Sequence, residues 1–257
     1  MGITRMKVER NRKFLVLTTP RSGSAWLISV LNNVDGVSAY GGIFIQKKRE
    51  EGDEEWDSDF AYPRFIEATP KGARARPFSI FSYLDTLYNK PGVVGFKLMY
   101  CQLMRYPELL GYFIYHQIPV IHLIRRNHLD VLISRAMMRK TKQAHPLSDQ
   151  PEFHQLQVEL DPENLVKGIR IRHRNILIVR NLLRWSRLSH LEVVYEDLVQ
   201  NPSSFQRICD FLAVKSREKL PQSRLVKIQK RGHADVISNY REVKEVLAGT
   251  QFAHLIQ

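Results

Sequence analysis

The 257-residue sequence contains only two cysteines, Cys101 and Cys209. Two thiols without metal-ligand spacing exclude a disulfide framework and a cysteine-based zinc site. Both stand among apolar residues, so we expect two small buried side chains and a reducing compartment, the cytoplasm. The nine histidines are scattered and no pair has ligand spacing with a carboxylate, so no metal is expected.

Long apolar runs are lacking as well. No segment approaches the roughly 20 apolar residues of a membrane span, so no spanning helix is expected. The first twelve residues are basic, and neither an apolar stretch nor a cleavage site of the signal-peptide kind follows them. We expect residues 1–12 to be a flexible basic N-terminus and residues 1–257 to form a single domain.

Acidic residues are scarce relative to basic ones. The sequence has 39 lysines and arginines against 26 aspartates and glutamates, a net charge of +13. This excess indicates a polyanionic partner, an anionic membrane surface or an anionic small molecule. No zinc finger, basic tail or aromatic-interleaved basic patch is present, so nucleic acid is not an expected partner. The charge is concentrated at the N-terminus and in 125–139 and 167–187, where solvated helix faces would also carry it.

Short apolar runs alternate with helical patterns, which predicts an α/β fold with a central parallel sheet flanked by helices. Strands are predicted at 13–18, 93–98, 119–124 and 191–195. Helices are predicted at 24–34, 79–89, 102–112 (interrupted by Pro107), 128–140, 162–188 and 203–213. The segments 36–78 and 141–160 are expected to be irregular, and 215–257 to be helical or irregular. Ligands of such sheets bind beyond the carboxyl ends of the strands.

The first predicted strand runs into Thr18-Thr19-Pro20-Arg21-Ser22-Gly23-Ser24-Ala25-Trp26, where a helix begins. The first N–H groups of a helix have no internal partner and favour an anion. Arg21 adds a planar fork suited to phosphate or sulfate oxygens, and Gly23 allows close backbone approach. The spacing is not that of the nucleoside-triphosphatase P-loop, which also needs a lysine after its last glycine. An ordinary corner with a serine N-cap is the alternative.

A second predicted strand ends in cations. Residues 119–124 run into Arg125-Arg126-Asn127, and Ser134 follows Arg126 by eight residues. The pattern allows a second anion site, although two polar strand-end arginines and a surface serine explain this segment equally well on its own.

Taken together, these two segments resemble the family of sulfotransferases that use 3′-phosphoadenosine-5′-phosphosulfate (PAPS). The resemblance implies a P-loop-like sulfotransferase fold, PAPS as donor and 3′-phosphoadenosine 5′-phosphate (PAP) as product. It extends from residue 14 to about residue 252 through Tyr195-Glu196-Asp197, through Lys230-Arg231-Gly232 with Asn239 seven residues further on, and through the ending Val246-Leu247-Ala248-Gly249-Thr250.

The resemblance also implies roles for individual residues. The loop Arg21, Ser22, Gly23, Ser24, Ala25 and Trp26 would hold the 5′-phosphosulfate. Arg126 and Ser134, with Lys230, Arg231 and Gly232, would hold the 3′-phosphate, and Tyr195 would approach the adenine. Arg21 and Lys97 would be catalytic, because preplaced donors stabilise charge on the leaving oxygen. A strand-end surface lysine is the alternative for Lys97.

The general base expected for the acceptor is missing from both places where the family carries one. Met99 stands at the histidine position, and Gly42 stands near the glutamate position. Glu67, His145, His154 and the acidic run 50–59 are unranked candidates for a base. The run could attract a cationic acceptor, although a solvated loop explains it as well.

The sequence therefore predicts transfer of a sulfuryl group, without a metal, to a hydroxyl or amine of a small molecule. A natural product, including a cationic one, or a glycan fits the compact bacterial form that the chain resembles. A kinase-like nucleotide enzyme is disfavoured by the missing P-loop spacing. A catalytically inactive nucleotide- or nucleic-acid-binding protein that keeps the fold is the other alternative.

Overall fold

The first strand, β1 (Arg12–Thr18), occupies the centre of the sheet. The computed structural model describes residues 12–46, 62–69, 75–141, 156–215 and 232–256. Phe14, Leu15, Val16 and Leu17 are at most 2% exposed. A strand so continuously apolar is stable only where helices cover both faces of the sheet.

Five strands, all parallel, form the sheet within these ranges, in the order β2-β3-β1-β4-β5. The other four are β2 (Val37–Tyr40), β3 (Val93–Met99), β4 (Val120–Ile124) and β5 (His190–Val194). The helices in the same ranges are α1 (Ser24–Asn32), α2 (Phe65–Ala68), α3 (Phe78–Tyr88), α4 (Tyr100–Arg105), α5 (Glu108–Tyr115), α6 (His128–Thr141), α7 (Pro162–Ser186), α8 (Tyr195–Gln200), α9 (Pro202–Leu212), α10 (His233–Val236) and α11 (Tyr240–Ala248), and a 3-10 turn spans Ala253–Leu255.

Alternation along the strands divides the core into two layers. Leu15 and Leu17 face α3, α5 and the second half of α7, whereas Phe14 and Val16 face α1 and α9. A third apolar cluster joins α6 and the first half of α7 to α10 and α11. This cluster attaches the C-terminal segment beside the carboxyl end of β4.

The predicted α/β architecture with a parallel sheet is confirmed. Pro107 separates α4 from α5, as the interrupted pattern indicated. The longest helix is α7, capped by Asp161, whose side chain accepts from the Asn164 N–H at 3.2 Å. Its inward stripe is the one that helical spacing predicts, namely Leu165, Ile169, Ile176, Val179 and Leu183.

Three expectations are wrong. The segment 36–78 contains an edge strand, β2, whose four residues are too few to give a periodic signal. The fourth predicted strand ends one residue early, because Tyr195 begins α8. Cys209 is buried, but Cys101 is exposed, since the inward face of α4 carries Tyr100 and Leu103 instead.

Several sequence candidates lie outside the described residues: the acidic run 50–59, His145, His154, Lys230 and Arg231. Among the helices that are described, none combines the length and apolarity needed to cross a bilayer. In the same ranges, no group of three or more potential ligands is arranged to hold a metal ion.

Gly95 in β3 leaves room for the ring of Phe14, since a Cβ at position 95 would meet ring carbons at 2.5 Å. We expect Gly95→Ala to lower the free energy of unfolding by about 1–3 kcal/mol through overpacking. Gly111→Ala in α5 is the matched control, because its Cβ would meet nothing within 4 Å. It should raise stability by up to about 1 kcal/mol through helix propensity. Urea unfolding followed by circular dichroism measures both, and equal effects would contradict the packing argument.

Candidate active site

The loop between β1 and α1 bends through two left-handed residues, Arg21 with φ 67° and Gly23 with φ 78°. Gly23 is the N-cap residue of α1, and no side chain caps the helix. The alternative of a serine N-cap is therefore wrong: Ser22 is buried, and its Oγ lies 2.7 Å from Thr19 Oγ1. The first backbone N–H groups of α1 therefore donate no hydrogen bond to a side chain of the N-cap residue, and they can bind an anion.

Tyr195 packs directly on this loop. A Cβ at Gly23 would lie 2.0 Å from Tyr195 Cδ2, so only glycine fits beneath the ring. Trp26 meets the same ring edge-on, with centroids 6.2 Å apart. Tyr195 is 8% exposed, and burial raises the pKa of its hydroxyl. The first residue of α8 therefore packs closely against the loop between β1 and α1.

Two cations approach each other beside the loop. Arg21 Nε donates to Ser134 Oγ at 2.9 Å, which brings the loop to α6. Lys97 lies in the neighbouring strand, opposite Val16. Burial, and secondarily the charge of Arg21, lower the pKa of Lys97 to about 8. Burial and the charge of Arg125 likewise lower the pKa of Arg21.

Lys97 forms neither a hydrogen bond nor an ion pair with any residue in the described ranges. A half-buried ammonium without a carboxylate is costly, and the cost falls when an anion binds. Lys97 and Arg21, together with the start of α1, are therefore suited to hold a phosphate or sulfate group.

Arg125 is the buried support of this region. It donates to Asp130 Oδ2 at 2.7 Å and to the Arg21 carbonyl at 3.3 Å, and its guanidinium lies 5.1 Å from the Tyr195 ring centroid. Its Nε makes no hydrogen bond in the described part of the chain and lies 3.8 Å from Glu196 Oε1. Arg125 thus ties the ends of β1, β4 and β5 together.

Arg126 is placed differently from its neighbour. Its side chain is 65% exposed and forms a two-pronged ion pair with Asp197, at 3.1 and 3.0 Å. Ser134 Oγ accepts from Arg21 Nε, so Arg126 and Ser134 each have a protein partner of their own here. Asn127 Oδ1 accepts from the Asp130 N–H at 3.1 Å, which starts α6 here.

The C-terminal segment reaches the site through His233. Its Nε2 lies 2.9 Å from Asp130 Oδ1, and the imidazole is 4% exposed. Burial alone would raise the pKa of Asp130, but hydrogen bonds from His233 and Arg125 outweigh it and lower that pKa. Gly232, the N-cap residue of α10, therefore lies beside α6. Asn239 is not at the site: it exchanges hydrogen bonds with the backbone of Leu160.

Neither of the two positions that the resemblance associates with a general base carries an imidazole or a carboxylate. Met99 precedes α4, and Gly42 has φ 68°. Glu67 accepts from the Arg64 N–H at 2.9 Å and caps α2. Tyr100 and His122 are hydrogen-bonded to each other in the core, on the sheet face opposite to Lys97. Burial lowers the pKa of His122 to about 4.

Sequence reasoning missed the supporting residues Arg125, Asp130 and His233. Arg125 was attributed to a polar strand end, yet its side chain is only 9% exposed. The available signal was Asp130, five residues after Arg125, because a carboxylate in the first turn of the next helix can return to a strand-end arginine. Nothing local to His233 indicates its distant partner.

Comparison with known proteins gives a family and a set of structural neighbours. The sulfotransferase domain model matches residues 11–247. A sulfotransferase from Alicyclobacillus acidocaldarius is 14% identical, with 95% of this chain and 96% of that chain covered and a TM-score of 0.45. The sulfotransferase domain of the curacin biosynthetic pathway is 16% identical, with 87% and 82% covered and a TM-score of 0.48.

Mouse sulfotransferase SULT7A1, solved in complex with PAP, is 14% identical, with 81% of this chain covered and a TM-score of 0.41. The match spans 60% of the mouse chain. No curated protein matches the chain significantly. The family model covers nearly the whole sequence and includes the loop, β3, the start of α6 and Tyr195. The chain belongs to the sulfotransferase domain family.

Proposed function

We propose that this protein transfers a sulfuryl group from PAPS to a hydroxyl or amine of a small molecule. The observation that carries the proposal is the pair Arg21 and Lys97, both half-buried beside a helix start that no side chain caps. The family membership supplies the reaction class. A natural product, including a cationic one, or a glycan is proposed as acceptor, and the cytoplasm as compartment.

PAPS supplies an activated sulfuryl group whose departure leaves negative charge on the 5′-phosphate of PAP. Arg21, Lys97 and the backbone N–H groups of 22–26 would bind that phosphate and stabilise the charge as the S–O bond breaks. One such donor is typically worth about 2.7–4 kcal/mol of transition-state stabilisation. Burial strengthens this effect, because the local dielectric constant is low.

The 3′-phosphate is assigned to the other end of the site. Arg126 and Ser134 would bind it, with Lys230, Arg231 and Gly232 from the C-terminal segment. The His233–Asp130 contact supports the assignment, since it holds the residue after Gly232 beside α6. Arg126 would exchange its ion pair with Asp197 for a phosphate, which its 65% exposure permits. Tyr195 would contact the adenine through the part of its ring that the loop leaves open.

An inactive protein that binds PAP but transfers nothing is the second candidate. The absence of a carboxylate or imidazole at Met99 and Gly42 favours it, because acceptor hydroxyls are usually deprotonated by such a group. Labelled PAPS offered with phenols, amines and sugars separates the candidates. Transfer to any of them supports the enzyme, and PAP binding with no transfer supports the inactive protein.

Isothermal titration calorimetry should show that PAP binds the wild-type protein. Arg126→Ala should weaken this binding about 10- to 100-fold, because one hydrogen bond between charged groups is lost. Arg241→Ala is the control, because Arg241 is an exposed arginine that also pairs with a carboxylate. Its affinity should equal that of the wild type. A folded wild-type protein that does not bind PAP would refute the proposed function.

The affinity for PAP should fall as pH rises through about 8, because Lys97 loses its proton there. Binding above that pH requires uptake of a proton, which costs up to about tenfold in affinity per pH unit. Lys97→Arg keeps the charge at all these pH values and should flatten the profile. Calorimetry between neutral pH and pH 10 tests this, and an unchanged slope in the arginine variant would exclude Lys97 as the titrating group.

Lys97 should also reduce the stability of the ligand-free protein. Its pKa is lower in the folded state than the ordinary 10.5, so its burial is unfavourable while it is charged, and stability is regained as pH rises from about 8 towards 10.5. Lys97→Met should therefore raise the free energy of unfolding near neutral pH, and the gain should vanish at high pH. Urea unfolding measures both proteins, and a stability difference between Lys97→Met and the wild type that does not change with pH would indicate a packing effect alone.

A further inference from the structure

Helix α7 has an outward stripe of large apolar side chains that no part of the site uses. Ile171, Ile178 and Trp185 are 39%, 55% and 73% exposed. They are spaced seven residues apart, about two helical turns, so they lie along one line of the helix. The helix has 25 residues and is about 37 Å long. Large apolar side chains aligned on the exposed side of one helix point to a binding surface when they occur together with other recognition features.

Cations accompany the apolar stripe along the same outward side. Lys167, Arg170, Arg174 and Arg184 are exposed. None of these four forms an ion pair with a residue in the described ranges. The sequence contains no aspartate or glutamate between Asn164 and Arg187. Arg180, by contrast, is neutralised by Glu192 at 2.6 and 2.7 Å. The outer face is therefore both apolar and positively charged.

The composition of this face distinguishes among anionic partners. Nucleic acid would use the cations but gains nothing from exposed isoleucines. A bilayer with anionic lipids uses both: headgroups pair with Lys and Arg, and aliphatic side chains and tryptophan enter the boundary with the acyl chains. A net charge of +13 adds long-range attraction to such a surface.

We propose that the outer face of α7 docks the protein on anionic membranes, with the helix lying in the plane of the interface. The contact is peripheral, and it does not depend on the proposed sulfuryl transfer. The last turn of α7 lies at the amino edge of the sheet, where the Ser189 carbonyl accepts from Val120 N–H at 2.9 Å. The first turn of α7 therefore lies towards the opposite, carboxyl edge of the sheet, which carries the site. In the proposed orientation the site faces solvent beside the bilayer.

Sedimentation with vesicles tests the proposal on the full chain. The protein should sediment with vesicles of mixed phosphatidylcholine and phosphatidylglycerol, but not with phosphatidylcholine alone, and added salt should weaken binding. Replacing both Ile178 and Trp185 by serine should weaken binding about tenfold or more, since two buried apolar side chains are lost. Val199→Ser on α8, 48% exposed, is the control and should bind like the wild type.

Tryptophan emission gives a second readout of the same contact. Trp185 fluorescence should shift to shorter wavelength on anionic vesicles, and Trp185→Phe should remove the shift although Trp26 and Trp56 are retained. Thermal unfolding in the absence of nucleotide verifies that each variant is folded, so a failure of PAP binding does not affect the result.

Three outcomes would overturn the proposal. The first is a wild-type protein that does not sediment with anionic vesicles. The second is a double serine variant that sediments as well as the wild type while Arg170→Gln with Arg174→Gln does not, because the face would then act only as a cationic patch. The third is a wild type that does not bind vesicles but binds duplex DNA or an acidic helical peptide, which would assign α7 to another class of partner.

Discussion

The structure depends on burying positive charge where the strands end. Arg21, Lys97 and Arg125 converge at the carboxyl edge of the sheet, and like charges in a region of low dielectric repel each other strongly. Arg125 is compensated by a close carboxylate, Asp130 at 2.7 Å. Three features of the local architecture surround these cations: the left-handed turn at Arg21, the Tyr195 ring beside Arg125, and the contact of His233 with Asp130. The repulsion is a property of the ligand-free fold that an anion would relieve.

The main features of the fold could be predicted from the sequence, for a physical reason. A central parallel strand must be apolar on both faces, so β1 and β4 are continuous apolar runs, and α7 repeats its apolar residues with helical spacing. β2 could not be predicted, because a four-residue edge strand acquires its structure from pairing with β3 rather than from its own pattern. The exposure of Cys101 depends on which face of a six-residue helix turns inward, and so short a helix gives no reliable periodicity.

The site was predictable in its residue types and less so in its pairings. Arg21, Gly23 and Tyr195 come together, as the motifs indicate. The partners of Ser134 and Arg126, which are Arg21 and Asp197, could not be foreseen because both lie far away in the sequence. Similarly, Asp130 is an ordinary helix N-terminal acid in the sequence, and only tertiary structure gives it two basic partners.

The contact between Gly23 and Tyr195 has a consequence for how this sequence can change. The ring occupies the volume that any side chain at position 23 would need, so the two positions cannot vary independently. A relative with alanine or serine in place of this glycine should have a smaller residue in place of the tyrosine, or a loop of different length. Correlated replacement at two positions 172 residues apart would then be the evolutionary record of a single van der Waals contact.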